Sequence, residues 1–262
     1  MRVVSLASGS KGNACLVEQD GVAVMIDCGL SCRELVGRMA EADLAPEAVA
    51  AVVFTHSHTD HINGLPVFHR HFPGAELFAN LMTAESVAAL LGMNATDFAC
   101  FENEQPLDIG PFTVTPFPIP HDTSDPVGYL VQAGGLTYFH GTDIGMPLES
   151  IGRRLAAADW ATLESNHDLV MLHQSGRPQS LIRRIEGPRG HLSNDQSCEL
   201  VRRFASPKLQ RLALAHLSKD CNDPKIAKGA MQATLLGMGR ADVSLSVLSQ
   251  DFIVEFKDES RS

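Results

Sequence analysis

The chain lacks several things, and each absence narrows what it can be. Its six cysteines, Cys15, Cys28, Cys32, Cys100, Cys198 and Cys221, are scattered and include no CxxC pair. That fits reduced thiols better than a disulfide framework, so a cytoplasmic protein is expected. No apolar run approaches membrane-spanning length, and the start has one early Arg but no long apolar stretch of a signal peptide. No membrane role is expected. Basic residues are in deficit, with 21 Lys and Arg against 31 Asp and Glu and a net charge of −10. That argues against non-specific coating of nucleic acid. It leaves a nuclease open, because bound cations and a local basic patch can reverse the field at one site. Neither a short-period repeat nor a low-complexity linker interrupts the 262 residues, and 44% hydrophobic content allows a substantial core. The length suits one large domain or two small ones.

What is present centres on Thr55-His56-Ser57-His58-Thr59-Asp60-His61. Four metal-capable side chains fall within six residues. The apolar run Ala50 to Phe54 before it reads as a buried strand, and Ile62-Asn63-Gly64-Leu65 after it opens a helix. In an extended loop His56 and His58 share a face, while Asp60 and His61 follow where the chain turns. Imidazoles with a carboxylate suit zinc, and tolerate manganese or iron. A histidine-rich surface loop is the plain alternative, but an Asp among His at this spacing is a stronger pattern.

Strands are expected at Val3–Leu6, Ala14–Glu18 and Val22–Ile26, with Asp20-Gly21 as a hairpin turn. Ser31-x-x-Glu34 is a capping box before a helix with Leu35, Val36 and Met39 on its apolar face. A helix should run from the motif to about His71, then a strand at 75–79 and a helix at 83–91 ended by Gly92. Two strands lie within 106–120, and a hairpin at 127–139 closes on His140-Gly141-Thr142-Asp143. Helices follow near 147–157 and 179–185, and from the Ser193-x-x-Gln196 capping box to about Phe204. The strand 209–215 ends in His216, and Asp223-Pro224 starts a helix to about Leu236. Strands at 243–247 and 252–256 close the chain. Two halves of strands then helices suggest two sheets face to face with helices outside. His121, Asp143 and His216 each follow a strand. With the motif they make seven ligands, enough for two metals with Asp143 shared between them.

These motifs resemble the metallo-β-lactamase-fold superfamily: Asp27 in Ile26-Asp27-Cys28-Gly29, HxHxDH at His56 to His61, then His121, Asp143 and His216, in order across nearly the whole chain. Closer still is the YycJ-type subgroup, through Ser8-Gly9-Ser10-Lys11-Gly12-Asn13, Glu164-Ser165-Asn166-His167-Asp168, Gly190-His191-Leu192-Ser193-Asn194 and Ala215-His216-Leu217-Ser218-Lys219. The resemblance implies an α/β fold, the αββα four-layer sandwich of two mixed sheets, over residues 1–262 as a single domain. It also implies two divalent metal ions, zinc or manganese with iron as an option, and hydrolysis of a nucleic-acid phosphodiester. By analogy His56, His58 and His121 hold one metal, Asp60, His61 and His216 the other, and Asp143 bridges. Asp27 then orients the motif loop, Asp60 also counts among the catalytic residues, and water activated by the cations attacks phosphorus. A homodimer and a DNA-repair or RNA-processing partner protein are open with it.

Glu164 and His191 resemble the pair that ribonuclease Z-like enzymes place beside the metals, the Glu orienting an imidazole that protonates the leaving oxygen. His167 is either oriented by Asp168 for a role at the site or braces its loop. His69, His71, His140 and His173 are left unassigned. Arg177, Arg183, Arg184, Arg189, Arg202 and Arg203 gather around His191. Of these, Arg177, Arg184 and Arg189 are candidate phosphate binders, with Ser10 and Asn13 of the glycine-rich loop. Cys221 follows His216 closely, but His61 already supplies the ligand that a cysteine would. Only 72 residues separate Asp143 from His216 and 21 separate His121 from Asp143. Neither gap holds the inserted domain of ribonuclease J-like enzymes or the substrate arm of ribonuclease Z-like ones. The alternative is a thioester or other small-molecule hydrolase of the same fold. A vestigial metal-binding module conflicts with the intact ligand set, and a flavodiiron role needs Glu where His58 stands.

Overall fold

The computed structural model describes residues 1–257. One seven-stranded sheet contains β1 (Arg2–Ala7), β2 (Ala14–Gln19), β3 (Val22–Ile26), β4 (Val49–Val53), β5 (Glu76–Asn80), β6 (Phe98–Phe101) and β14 (Val254–Lys257). Its order is β14-β1-β2-β3-β4-β5-β6. The second contains β7 (Leu107–Ile109), β8 (Phe112–Pro118), β9 (Val127–Ala133), β10 (Leu136–Gly141), β11 (Trp160–Glu164), β12 (Arg211–Ala215) and β13 (Ser244–Val247), in the order β13-β12-β11-β10-β9-β8-β7. Asp20 and Gly21 between β2 and β3 both take positive φ, 55° and 80°. That is what a tight hairpin matched to strand twist requires.

Alternation along the strands builds the layers. In β3, Val24 and Ile26 face the other sheet, whereas Ala23 and Met25 face outward; in β12, Ala213 and Ala215 face inward, Leu212 and Leu214 outward. Both faces are covered, so these strands read as continuous apolar runs. Tyr129, Tyr138 and Trp160 fill the space between the sheets. Outside the first sheet pack α1 (Cys32–Glu41), α2 (Thr59–Ile62), α3 (Leu65–His71) and α4 (Leu81–Leu91) through Leu35, Met39, Ile62, Phe68 and Val87. Outside the second pack α5 (Glu149–Ala156), α8 (Asn194–Phe204) and α9 (Pro224–Gly237) through Ile151, Leu155, Val201 and Met231. Between α5 and α8 in the chain come α6 (Leu169–Gln174) and α7 (Gln179–Glu186). The layering is the expected four-layer sandwich of two mixed sheets. No described helix is long and apolar enough to cross a membrane.

Three elements were not anticipated: β6, β11 and α6. The helix expected from the motif to His71 is two pieces. It breaks at Gly64, where a Cβ would lie 1.9 Å from the Leu30 carbonyl oxygen and where Pro66 starts the next helix. The last strand begins at Val254 rather than Phe252.

Parallel pairing sets the site. β3 runs parallel to β4, with Ile26 beside Val53; β10, β11 and β12 run parallel, with Gly141 beside Leu163 and Glu164 beside Ala215. Parallel neighbours end on the same edge, so the residues that follow them gather on one rim.

Candidate metal centre

Six of the cluster residues lie at or just past the end of a strand, while Asp60 and His61 lie in α2. Asp27 follows β3, Thr55 and His56 follow β4, Asp143 follows β10 and His216 follows β12; Glu164 is the last residue of β11. Asp27, Asp143 and His216 all sit at positive φ, 62°, 58° and 56°. For non-glycine residues that costs about 1–3 kcal/mol each, a strain that persists where packing over-determines it and that is common at functional sites.

His56, His58 and His121 converge. His56 Nε2 and His121 Nε2 lie 3.1 and 3.3 Å from His58 Nδ1. Their rear nitrogens are occupied: His56 Nδ1 meets the Thr55 hydroxyl at 2.9 Å, and His121 Nδ1 donates to the Gly190 carbonyl at 3.0 Å. Those partners leave the Nε2 lone pairs aimed at the common point. Burial pushes His56, His58 and His121 below the ordinary imidazole value, towards the neutral form that ligates.

Asp60, His61 and His216 form the second group, with donor atoms within 4.8 Å of one another. Asp143 stands between the two, its Oδ2 3.3 Å from His61 Nε2 and its Oδ1 3.6 Å from His121 Nε2. Burial pushes Asp60 and Asp143 up, but His61 and His216 outweigh it and hold both below the usual carboxylate range. Asp27 lies behind. It accepts from Thr55 N–H and hydroxyl, each at 2.8 Å, and from His61 Nδ1 at 2.7 Å.

Glu164 anchors the other side of the rim. Its Oε1 accepts from His191 Nδ1 and His216 Nδ1, each at 2.9 Å; its Oε2 accepts from the Ile144 and Leu192 amides at 2.8 and 3.0 Å. Burial opposes its ionisation, but His191 and these bonds lower its pKa to about 2. His191, held by Glu164, lines a cavity of about 240 Å³ above the cluster together with Ser10, Arg177 and Arg184.

The donor set fits divalent cations. His216 Nε2 and Asp143 Oδ2 are buried without a hydrogen-bond partner. Such atoms are costly to leave unpaired, and a cation between the two groups would satisfy both.

Several expected residues stand elsewhere in the site than their type suggested. Asn13, expected at a phosphate, turns inward: its Oδ1 accepts from Gly9 N–H at 2.9 Å and its Nδ2 donates to the Gly9 carbonyl at 3.1 Å. Those bonds fix the amide, so Nδ2 points at His61 Nε2, 3.0 Å, and Asp60 Oδ2, 3.2 Å. Asp168 does not orient His167; it caps α6 by accepting from Met171 N–H. His167 is buried, its carbonyl accepts from Asn194 N–H and its Nδ1 is unpartnered. Arg177 pairs with Asp220 at 2.9 Å and Arg184 with Asp122 at 2.5 Å, both on the cavity wall. Arg189 donates to the His121 carbonyl at 3.0 Å and so braces that loop.

Sequence reasoning missed Thr55, Ser8, whose hydroxyl accepts from His216 N–H at 2.8 Å, and Asp122, whose Oδ1 lies 3.6 Å from His58 Nε2. Asp122 adjoins His121 and could have been suspected; Ser8 stood in a resemblance motif but was given no role of its own. All six cysteines are unpaired, as expected.

This sandwich, with imidazoles and carboxylates gathered along one rim, defines a metal-dependent hydrolase of the metallo-β-lactamase fold. The family described as the β-lactamase superfamily domain matches residues 23–216, and the chain belongs to it. It is similar to exodeoxyribonuclease WalJ of Streptococcus pneumoniae, 30% identical over 245 residues, 92% of this chain and 90% of that protein. It is also 30% identical to exodeoxyribonuclease YycJ of Bacillus anthracis, over 90% of this chain and 91% of that one. The metallo-β-lactamase-fold protein YhfI from Bacillus subtilis shares the fold, with a TM-score of 0.73 and 16% identity over 97% of this chain and 99% of that chain.

Proposed function

We propose that the chain is a two-metal phosphodiesterase that cleaves nucleic acid, with DNA as first substrate and attack at an end as first mode. The observation that carries this is the Glu164–His191 pair beside two ligand groups with Asp143 between them. The two relatives named exodeoxyribonucleases support the substrate. His56, His58 and His121 would hold one cation, Asp60, His61 and His216 the other, and Asp143 both. Zinc and manganese suit this set, and iron is compatible. Bound there, the cations would supply an activated water and charge stabilisation at phosphorus. The protein's own part is a proton. Glu164 fixes the His191 ring through Nδ1, and His191 delivers a proton to the leaving oxygen. Arg177 and Arg184 flank the cavity as phosphate partners once their carboxylates give way, and Ser10 stands at its mouth. Six unpaired cysteines favour the cytoplasm.

The test is metal-stripped protein reloaded with manganese or zinc. It is assayed on end-labelled single- and double-stranded DNA and RNA, on a chromogenic phosphodiester and on a thioester. Cleavage of DNA from an end is the expected result. Cleavage of the thioester with no phosphodiester cut would reject the reading.

A further inference from the structure

Helix α7 forms one wall of the metal cavity, and its side chains do not suit a bare inorganic site. Ile182 points into a small apolar cluster with Leu172 and Cys221, and Ile185 is partly buried against it. Leu181, one turn before Ile185, lines the cavity with it and belongs to none of the apolar clusters among the described residues. Leu181 and Ile185 thus give an aliphatic face to a cavity otherwise rich in imidazole and carboxylate. Arg177 and Arg184 stand on the same wall. Arg177 uses Nη2 on Asp220, but its Nε is buried without a partner. A buried N–H left unpaired is costly, and an acceptor from outside the chain would satisfy it.

We propose that α7 forms a nucleoside subsite: the apolar face of one nucleoside next to the scissile phosphate packs on Leu181 and Ile185, with a neighbouring phosphate accepting from Arg177 Nε. This rests on the nucleic-acid phosphodiesterase reading and adds to it how the strand is gripped. The cavity, about 240 Å³, is on the scale of one nucleotide unit, so a single strand is expected to enter it. Aliphatic side chains offer no donors or acceptors to a base edge, so the subsite grips every base alike. A single strand end, or an end frayed to one strand, is what enters.

The experiment compares two chromogenic diesters on the metal-loaded protein: thymidine 5′-(p-nitrophenyl phosphate), which carries a nucleoside, and methyl p-nitrophenyl phosphate, which does not. The readout is the ratio of their kcat/KM values. Leu181→Ala is expected to lower that ratio about tenfold, the scale of trimming an apolar contact in a pocket, with the loss in KM. Leu181→Met is expected to restore it. Arg177→Gln is expected to raise KM for a single-stranded oligonucleotide more than for either small diester. Metal content is measured on every variant. A ratio unmoved by Leu181→Ala, or an equal loss on both diesters, would overturn the subsite. If the wild-type protein cleaves neither diester nor the oligonucleotide, the phosphodiesterase reading fails and the subsite falls with it. If it cleaves them and only the ratio is unmoved, the subsite alone fails.

Discussion

Glu164 is the residue on which both sides of the site depend, because one oxygen serves His191 and His216 together. Removing His191 leaves that carboxylate and the seven candidate ligands in place. His191→Ala is therefore expected to keep its metals while turnover falls about 10²–10⁴-fold, the span for losing a general acid. Metal content measured alongside single-turnover rates checks this, and full activity in metal-replete protein would remove the role. Asn13 makes a different prediction. Its amide, held by Gly9, touches Asp60 and His61 but none of the first histidine group. With two cations bound as proposed, Asn13→Ala is expected to weaken one of the two metal-binding events by about 10–100-fold, as other groups behind ligands do. Titration calorimetry with zinc resolves the two events; equal weakening of both would show a general loosening instead. The histidines were legible because their spacing is local. The neighbours of Asn13 at the site were not, since Asp60 and His61 meet it only in the fold.

At the scale of elements, the loop after β3 and the motif loop are fastened as one piece. Cys28 N–H donates to the His61 carbonyl, Asn13 N–H to the Asp60 carbonyl and Gly29 N–H to the Asn13 carbonyl. A Cβ on Gly29 would lie 1.7 Å from the Asp60 carbonyl oxygen, which is backbone and cannot move aside cheaply. Gly29→Ala is expected to cost about 3 kcal/mol and to impair metal uptake with it. Denaturant unfolding of the metal-free protein measures the first and calorimetry the second; an unchanged midpoint would refute the tight fit. Elements with local signals were legible here, such as the Ser193 capping box and the Asp20-Gly21 turn. β11 was not. Trp-Ala-Thr-Leu-Glu has no alternation, because both of its faces are covered, and it follows directly on a helix. That is why Glu164 could be assigned by motif resemblance but not placed on a strand.

The whole molecule concentrates buried charge at one rim, and its acid stability should follow from that. Glu164 has a folded pKa of about 2 against an ordinary 4.5. Below about pH 4.5 the unfolded chain takes up this proton and the folded chain does not, so unfolding gains. Its contribution is complete above pH 4.5 and is lost as pH falls towards 2. Asp60 and Asp143 act in the same direction. Glu164→Gln is therefore expected to flatten, but not abolish, the fall in stability of the metal-free protein across that window. Urea unfolding at stepped pH measures it, and an unchanged slope would contradict the buried, fully bonded carboxylate. His216 has the opposite sign. Burial opposes its charge, but Asp143, Asp60 and Glu164 raise its pKa to about 10 in the metal-free protein. A cation at Nε2 must displace that proton, so metal binding should strengthen as pH rises.

By itself the sequence determined the types of candidate ligand, their order and several of the strand ends that carry them, because hydrophobic runs, turn residues and an HxHxDH spacing are local properties. It also carried the layering, since two sets of apolar strands with flanking helices have few ways to bury their faces. Only the tertiary structure decided that β3 and β4, and β10, β11 and β12, pair in parallel and end on one rim. Only it turned Asn13 towards His61, gave Asp168 to a helix cap and set Leu181 on the cavity wall. Those assignments depend on register and packing between segments far apart in the chain, which no local pattern encodes.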